Sequence, residues 1–296
     1  KKGEAREFKL MTHQKVVSDY LNLYTPYRGL LLYHGLGSGK TCTSIAIAEG
    51  MKSQKQVIVM TLASLKANFY DQMKVCGDPI YKLDQFWEFI STDGQPNYIQ
   101  ILSKILKLPE EYVSKNKGAW MVNVKKESNF NDLSDVDKKS LNQQIDMMIR
   151  SKYKHYNYNG LNIGIMNEMT DNLKKNPFDD CVVVIDEVHN FVSRIVNKLN
   201  DKTSISYKLY EYLMSATNAR IVLLSGTPII NYPNEIGILF NILRGYIKTW
   251  TFPFTVGEKG RSYTRESILS WFKGAGKNRY DYVELSGQQL IITRNP

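Results

Sequence analysis

The chain has 296 residues, 43% of them hydrophobic and 23% charged. That is ordinary globular composition with room for one large domain or two small ones, and it excludes a disordered chain, a collagen-like chain and a coiled-coil rod. Thirty-nine Lys and Arg against 29 Asp and Glu leave a net charge of +10, which favours a polyanionic partner, nucleic acid before an anionic membrane.

In chain order, a short apolar run at 29–34 stops at a glycine-rich turn, and a helix is predicted over about 40–52. A β-branched run at 57–61 precedes a helix at about 63–75. The stretch at about 95–160 is rich in Lys, Asn, Ser and Tyr and interrupts the rhythm. It reads as a partly helical insertion on the edge of the core, or as a solvated elaboration without chemistry. Apolar runs return at 181–186 and 220–225, each followed by a helical stretch, at about 188–199 and 234–243. A last strand is predicted at 289–293 within a tail of mixed Gly, Pro, aromatic and basic residues. The four apolar runs are too short for helices and apolar on both faces, as strands are when helices cover both sides of a parallel sheet. The predicted fold is therefore α/β, a mostly parallel sheet with helices on both faces, plus the insertion.

Cys42, Cys76 and Cys181 lie far apart without a CxxC. They give no metal spacing and no disulfide framework, and point to a reducing compartment rather than secretion. No apolar run reaches the roughly 18 residues of a membrane helix, and the N-terminal residues carry no signal-peptide core. The expectation is no membrane partner and no export.

The strongest local signal is His34-Gly35-Leu36-Gly37-Ser38-Gly39-Lys40-Thr41, set between a strand and a helix. Glycines at 35, 37 and 39 let successive N–H groups face one point, at the positive end of the following helix. Lys40 can reach β- and γ-phosphates, and the Thr41 hydroxyl can ligate Mg²⁺. His34 stands where the strict pattern has Gly and is read as part of the loop frame. The strand at 181–186 ends in Asp186, followed by Glu187, Val188 and His189. Triphosphate hydrolysis needs a carboxylate near the metal and a base near water. Asp186 fits the first role and Glu187 the second. His189 reads either as a residue coupling the triphosphate site to a polymer site or as a helix-start histidine satisfied locally. His155 is assigned to the surface. A third strand ends in Ser225, Gly226, Thr227 and Pro228, small hydroxyl residues able to bond near the acidic pair.

In the order phosphate loop, DEVH, SGTP, these motifs resemble superfamily-2 (DExH-box) helicases and translocases. The closer resemblance is to the Swi/Snf-related helicases of large DNA viruses, of the poxvirus early-transcription-factor and nucleoside-triphosphatase type. It rests on His13-Gln14, on 30–35, on Asp186 to Phe191 and on Thr227 to Asn231. The resemblance implies a RecA-like P-loop NTPase domain over 1–296, the first of two such domains, with the second absent from this sequence. It implies ATP and Mg²⁺, with Gln14 reading adenine, although an exposed helix glutamine is the alternative. It implies nucleic-acid contact after the second strand, with Ser64 and Lys66 as candidates; a helix N-cap and a solvated lysine are the alternatives. DNA is the favoured polymer and RNA is possible. Viral RNA polymerase or transcription-factor subunits are the implied protein partners, and the viral factory in the cytoplasm or the virion the implied location. Rival readings are a DExH RNA helicase, a nucleotide-dependent binding module without unwinding, and a small-molecule kinase.

Overall fold

The computed structural model describes residues 11–33, 35, 37, 39–253, 263–276 and 280–294. The strands are β1 (Gly29–Tyr33), β2 (Gln56–Thr61), β3 (Trp87–Ser91), β4 (Gly118–Val122), β5 (Tyr153–Asn157), β6 (Cys181–Ile185), β7 (Arg220–Ser225), β8 (Lys248–Pro253), β9 (Tyr282–Ser286) and β10 (Gln289–Arg294). The α-helices are α1 (Thr12–Tyr20), α2 (Lys40–Met51), α3 (Lys66–Cys76), α4 (Asn97–Leu106), α5 (Glu110–Lys115), α6 (Asp135–Lys152), α7 (Ile163–Thr170), α8 (Val188–Val196), α9 (Ile205–Ser215), α10 (Asn234–Arg244) and α11 (Arg265–Gly274).

Five parallel strands form the central sheet in the order β1-β7-β6-β2-β5. Successive residues of each inner strand enter different cores. Val57, Val59, Val182, Val184, Val222 and Leu224 pack with α2, α3 and α6 on one face. Ile58, Met60, Val183, Ile185, Ile221 and Leu223 pack with α7 to α10 on the other. A strand buried on both faces must be apolar at every position, which is why these runs do not alternate. Helix α8 shows the complementary logic: Val188, Phe191, Val192 and Ile195, at i, i+3, i+4 and i+7, are the buried positions.

The region between β2 and β6 is more integrated than a solvated elaboration. Strands β3 and β4 form an antiparallel pair. Trp87, Leu102, Leu106, Val113, Trp120, Leu141, Ile145 and Ile149 join the same core as α2. Within the stretch set apart at about 95–160, β5 is itself a strand of the central sheet, with Val59 beside His155 in the register. At the C-terminal side, β8, β10 and β9 form a separate antiparallel sheet.

The cysteine expectation needs correction. Cys42 and Cys76 form a disulfide across 34 residues, with their Cα atoms 5.6 Å apart. Helices α2 and α3 pack side by side, a proximity that sequence spacing cannot show. Cysteine usage therefore no longer argues for a reducing compartment. Cys181 is free and buried, and burial pushes its thiol up to about 11.

Candidate active site at the carboxyl ends of β1, β6 and β7

In an open parallel sheet, ligands sit at the carboxyl ends of the strands. Here three of those ends lie together, because β7 runs between β1 and β6. Tyr33 at the end of β1 is in register with Ser225 at the end of β7. The turn after β1 and the acidic pair after β6 therefore flank Ser225.

The turn is shaped by its glycines. Gly37 and Gly39 have φ of 76° and 79°, a left-handed conformation that side chains disfavour. Gly39 is the N-cap of α2, and a Cβ there would lie 2.7 Å from Gln14 Nε2. His34, Leu36 and Ser38 lie outside the described residues. Lys40 Nζ donates to the Gly35 carbonyl at 3.1 Å. Thr41 lies in the first turn of α2 and is partly buried. Gln14 is buried rather than exposed: its Nε2 donates to the Gly39 carbonyl at 3.3 Å, and its Oε1 accepts from the Met11 N–H at 2.9 Å.

Asp186 leaves β6 with its N–H donating to the Met60 carbonyl, and its Oδ1 accepts from the Glu187 N–H at 2.9 Å. Burial raises its carboxyl to about 6, with the Glu187 charge adding to the rise, while the Glu187 N–H and the nearby Lys40 charge oppose it. A buried carboxylate of this kind favours a cation beside it. Glu187 is the N-cap of α8 and has a left-handed φ of 46°. The Tyr158 hydroxyl braces this corner at both the Asp186 and Glu187 carbonyls, at 3.2 and 3.1 Å.

His189 joins two of the motifs. Its Nδ1 lies 2.9 Å from Ser225 Oγ and 3.3 Å from Glu187 Oε2, and its Nε2 lies 2.9 Å from Asn190 Nδ2. With the Asn190 amide donating to Nε2, the imidazole proton is on Nδ1, aimed at the hydroxyl and the carboxylate. Ser225 is fully buried, and its Oγ also accepts from the Thr227 N–H at 3.0 Å. Gly226 is partly buried and Thr227 exposed, at the mouth of the site.

Ser64 and Lys66 lie apart from this cluster, at the start of α3. Ser64 is exposed and caps neither the short 3₁₀ turn Ala63–Leu65 nor α3, so the helix-cap alternative is not realised. Lys66 is partly buried. His155 is not a surface residue. It is half-buried against Tyr70, with ring centroids 5.7 Å apart, and lies 2.8 Å from Thr61 Oγ1. Burial, and secondarily the Lys66 charge, lower its pKa to about 4.

Sequence reasoning missed the supports. Asn159 Oδ1 accepts from the Ala63 N–H at 3.1 Å, tying the turn after β5 to the turn after β2. Glu235 is buried. Burial pushes its carboxyl up, but the N–H groups of Ile230 and Asn231 outweigh this and lower it. Asn231 in turn donates to Ser193 Oγ on α8 at 2.8 Å. Pro233-Asn234-Glu235 at a helix start was the readable signal for Glu235. Nothing in sequence marks Asn159 or Tyr158.

The Thr41 hydroxyl and Asp186 carboxylate are hard oxygen donors of the kind that hold Mg²⁺ together with substrate phosphates. Among the described residues no cluster of three or more His, Cys, Asp or Glu is arranged to hold a metal; a metal shared with phosphates does not require one. Among the described residues no helix is long and apolar enough to cross a membrane.

Residues 7–230 match the family model described as "Type III restriction enzyme, res subunit". The mimivirus protein named "Putative ATP-dependent RNA helicase R563", from Acanthamoeba polyphaga mimivirus, is 30% identical over 242 residues, covering 80% of this chain and 33% of that protein. A "Termination factor NPH-I homolog" of African swine fever virus (isolate Pig/Kenya/KEN-50/1950) is 28% identical over 222 residues, covering 74% of this chain and 23% of that protein. The chain thus spans a third or less of the length of these relatives. Among solved structures, the Sulfolobus solfataricus SWI2/SNF2 ATPase core in complex with dsDNA aligns with a TM-score of 0.40 at 16% identity, over 80% of this chain and 35% of that one. The chain belongs to the family of the type III restriction enzyme res subunit and is a superfamily-2 helicase-type ATPase domain, akin to those of large DNA viruses.

Proposed function

We propose that this domain binds and hydrolyses ATP with Mg²⁺ for a DNA-directed helicase or translocase of a large DNA virus, acting in early transcription. The observation that carries this reading is the convergence of Glu187 Oε2 and Ser225 Oγ on the one nitrogen His189 Nδ1, beside Lys40 and Asp186. The loop 34–41 is assigned to the phosphates and Lys40 to the terminal ones, and Gln14, tied to the Gly39 carbonyl, is assigned to reading adenine. Thr41 and Asp186 hold the metal, which when bound neutralises charge on the terminal phosphates. Glu187 orients a water and takes its proton at Oε2, the oxygen nearest the His189 Nδ1 proton. Ser225, Gly226 and Thr227 carry the state of this site towards a nucleic-acid track that includes Ser64 and Lys66. Viral RNA polymerase or transcription-factor subunits are the partners proposed, in the viral factory or the virion.

Between Thr227 and Pro296 the sequence holds no Gln-x-x-Gly-Arg-x-x-Arg motif. An arginine finger contributes about 10³–10⁵ in rate, so these 296 residues alone should turn over ATP near background. Robust nucleic-acid-stimulated turnover in a steady-state assay would contradict this. In a longer protein containing this domain, Lys40→Ala should abolish nucleotide binding. Glu187→Gln should keep binding and lower turnover by about 10²–10⁴. Unchanged turnover in Glu187→Gln would remove the base assignment. The name of the mimivirus relative favours RNA as a second reading, and comparing DNA and RNA as stimulants of the same ATPase separates the two.

A further inference from the structure

A groove of about 760 Å³ follows the β5 edge of the central sheet, away from the carboxyl ends that form the triphosphate site. Four cations line it: Lys66 from α3, Arg150 from the end of α6, Lys154 from β5 and Lys175 from the segment before β6. They come from four separate elements, so their convergence is not the charge stripe of one solvated helix. Arg150, Lys154 and Lys175 are exposed, and Lys66 is partly buried. Arg150 lies over the Tyr70 ring, 5.7 Å from its centroid, which holds the guanidinium against the groove wall. Two carboxylates, Glu168 and Asp179, also line the groove. The Asp179 Oδ1 is engaged by the Thr217 N–H at 2.7 Å. Positive charge therefore prevails in a polar, open trough beside a sheet edge that has no neighbouring strand among the described residues.

We propose that this trough is a second nucleic-acid contact, in which the phosphates of a strand crossing the turn at 61–66 continue along β5 onto Arg150, Lys154 and Lys175. The inference rests on the reading that Lys66 meets nucleic acid, because Lys66 belongs both to that turn and to the trough. That continuity favours a nucleic-acid strand over an acidic polypeptide. Binding here is to backbone, without base readout.

The test measures affinity of this chain for a fluorescent dT oligomer across a salt series. The variant R150Q/K154Q/K175Q should weaken binding by about tenfold or more at low salt, and should lower the slope of log K against log salt by about 2, near 0.7 per lost phosphate contact on a single strand. K104Q/K115Q/K125Q removes the same formal charge from exposed sites elsewhere and should change neither quantity. All six residues are exposed, and thermal melts of both variants check that they fold. If the groove variant behaves like the control while K66Q weakens binding, the trough proposal is wrong and the reading of the 61–66 turn survives. If neither K66Q nor the groove variant has an effect, both fall. A poly-glutamate of equal length that displaces the dT oligomer from wild type at lower concentration than unlabelled dT would assign the trough to acidic polypeptides and overturn the proposal.

Discussion

Every residue of β6 is buried, and every residue of β8 is exposed. Both are short strands in sheets of this chain, but one lies inside a parallel sheet covered on both faces and the other on the edge of an antiparallel sheet. In the central sheet the residues of the inner strands β2, β6 and β7 alternate between two helix-covered cores. In the β8-β10-β9 sheet the buried apolar contact is concentrated at Val283 and at Ile268 of α11, while Trp250 and Phe252 stay 42% and 46% exposed. The candidate site residues hang on the covered sheet. Doubly packed strands hold the Asp186 carboxylate largely out of water, whereas β8 has no buried residue.

Three substitutions sharpen or break this contrast. The largest effect is expected at Val184→Asp, which places an unpaired charge in a fully buried strand. The loss should exceed about 4–5 kcal/mol, and circular dichroism should find no folded protein. A folded V184D would mean that β6 is not the centre of the core.

Asp186→Asn comes next and has the opposite sign. The wild-type carboxyl titrates near 6 when folded, against an ordinary value of 3.8. Its folded pKa is raised, so the ionised form costs stability. That cost is absent below about pH 4, grows as pH rises through 4 to 6, and is complete above the folded pKa. The amide keeps the acceptor for the Glu187 N–H and lacks the charge. D186N should therefore be more stable by about 2–3 kcal/mol at pH 7, while chemical melts at pH 4 should show little difference. A gain that persists at pH 4 would rule out ionisation as its source.

The smallest effect belongs to the exposed ribbon. Trp250→Ala should cost less than about 1 kcal/mol, because a half-exposed side chain leaves no closed cavity when truncated. A thermal shift as large as that of a core truncation would show the ribbon to be part of the cooperative unit after all.

The contrast also explains what was legible in the sequence. Strands β2, β6 and β7 are apolar runs because both their faces are covered, the edge strand β1 is apolar because Leu30 and Leu31 pack against the two cores in turn, and the predicted and observed bounds of all four differ by a residue or so. Strand β5 reads Tyr-Lys-His-Tyr-Asn. It sits on the sheet edge and has no aliphatic residue and no apolar alternation, so it vanished into the polar stretch assigned to an insertion. Strand β8 has no buried residue to give it a pattern. The turn after β1 and the acidic pair after β6 stand out in the sequence because a left-handed backbone calls for glycine, as at Gly37 and Gly39, and because two adjacent carboxylates end an apolar run. The Cys42–Cys76 bond, the half-burial of His155 and the brace from Tyr158 arise only when distant segments meet.

The left-handed backbone at Glu187 has a further consequence. An L-residue carrying a side chain adopts that geometry at roughly 1–2 kcal/mol above its relaxed form, and a glycine would sit there at ease. The chain keeps a glutamate and clamps it with a tyrosine hydroxyl on two successive carbonyls. The direction in which this carboxylate points is thus enforced by the surrounding fold against its own local preference. Any change that loosened the β6–α8 corner would let the side chain drift before it unfolded the domain, so the aim of this carboxylate is more fragile than stability.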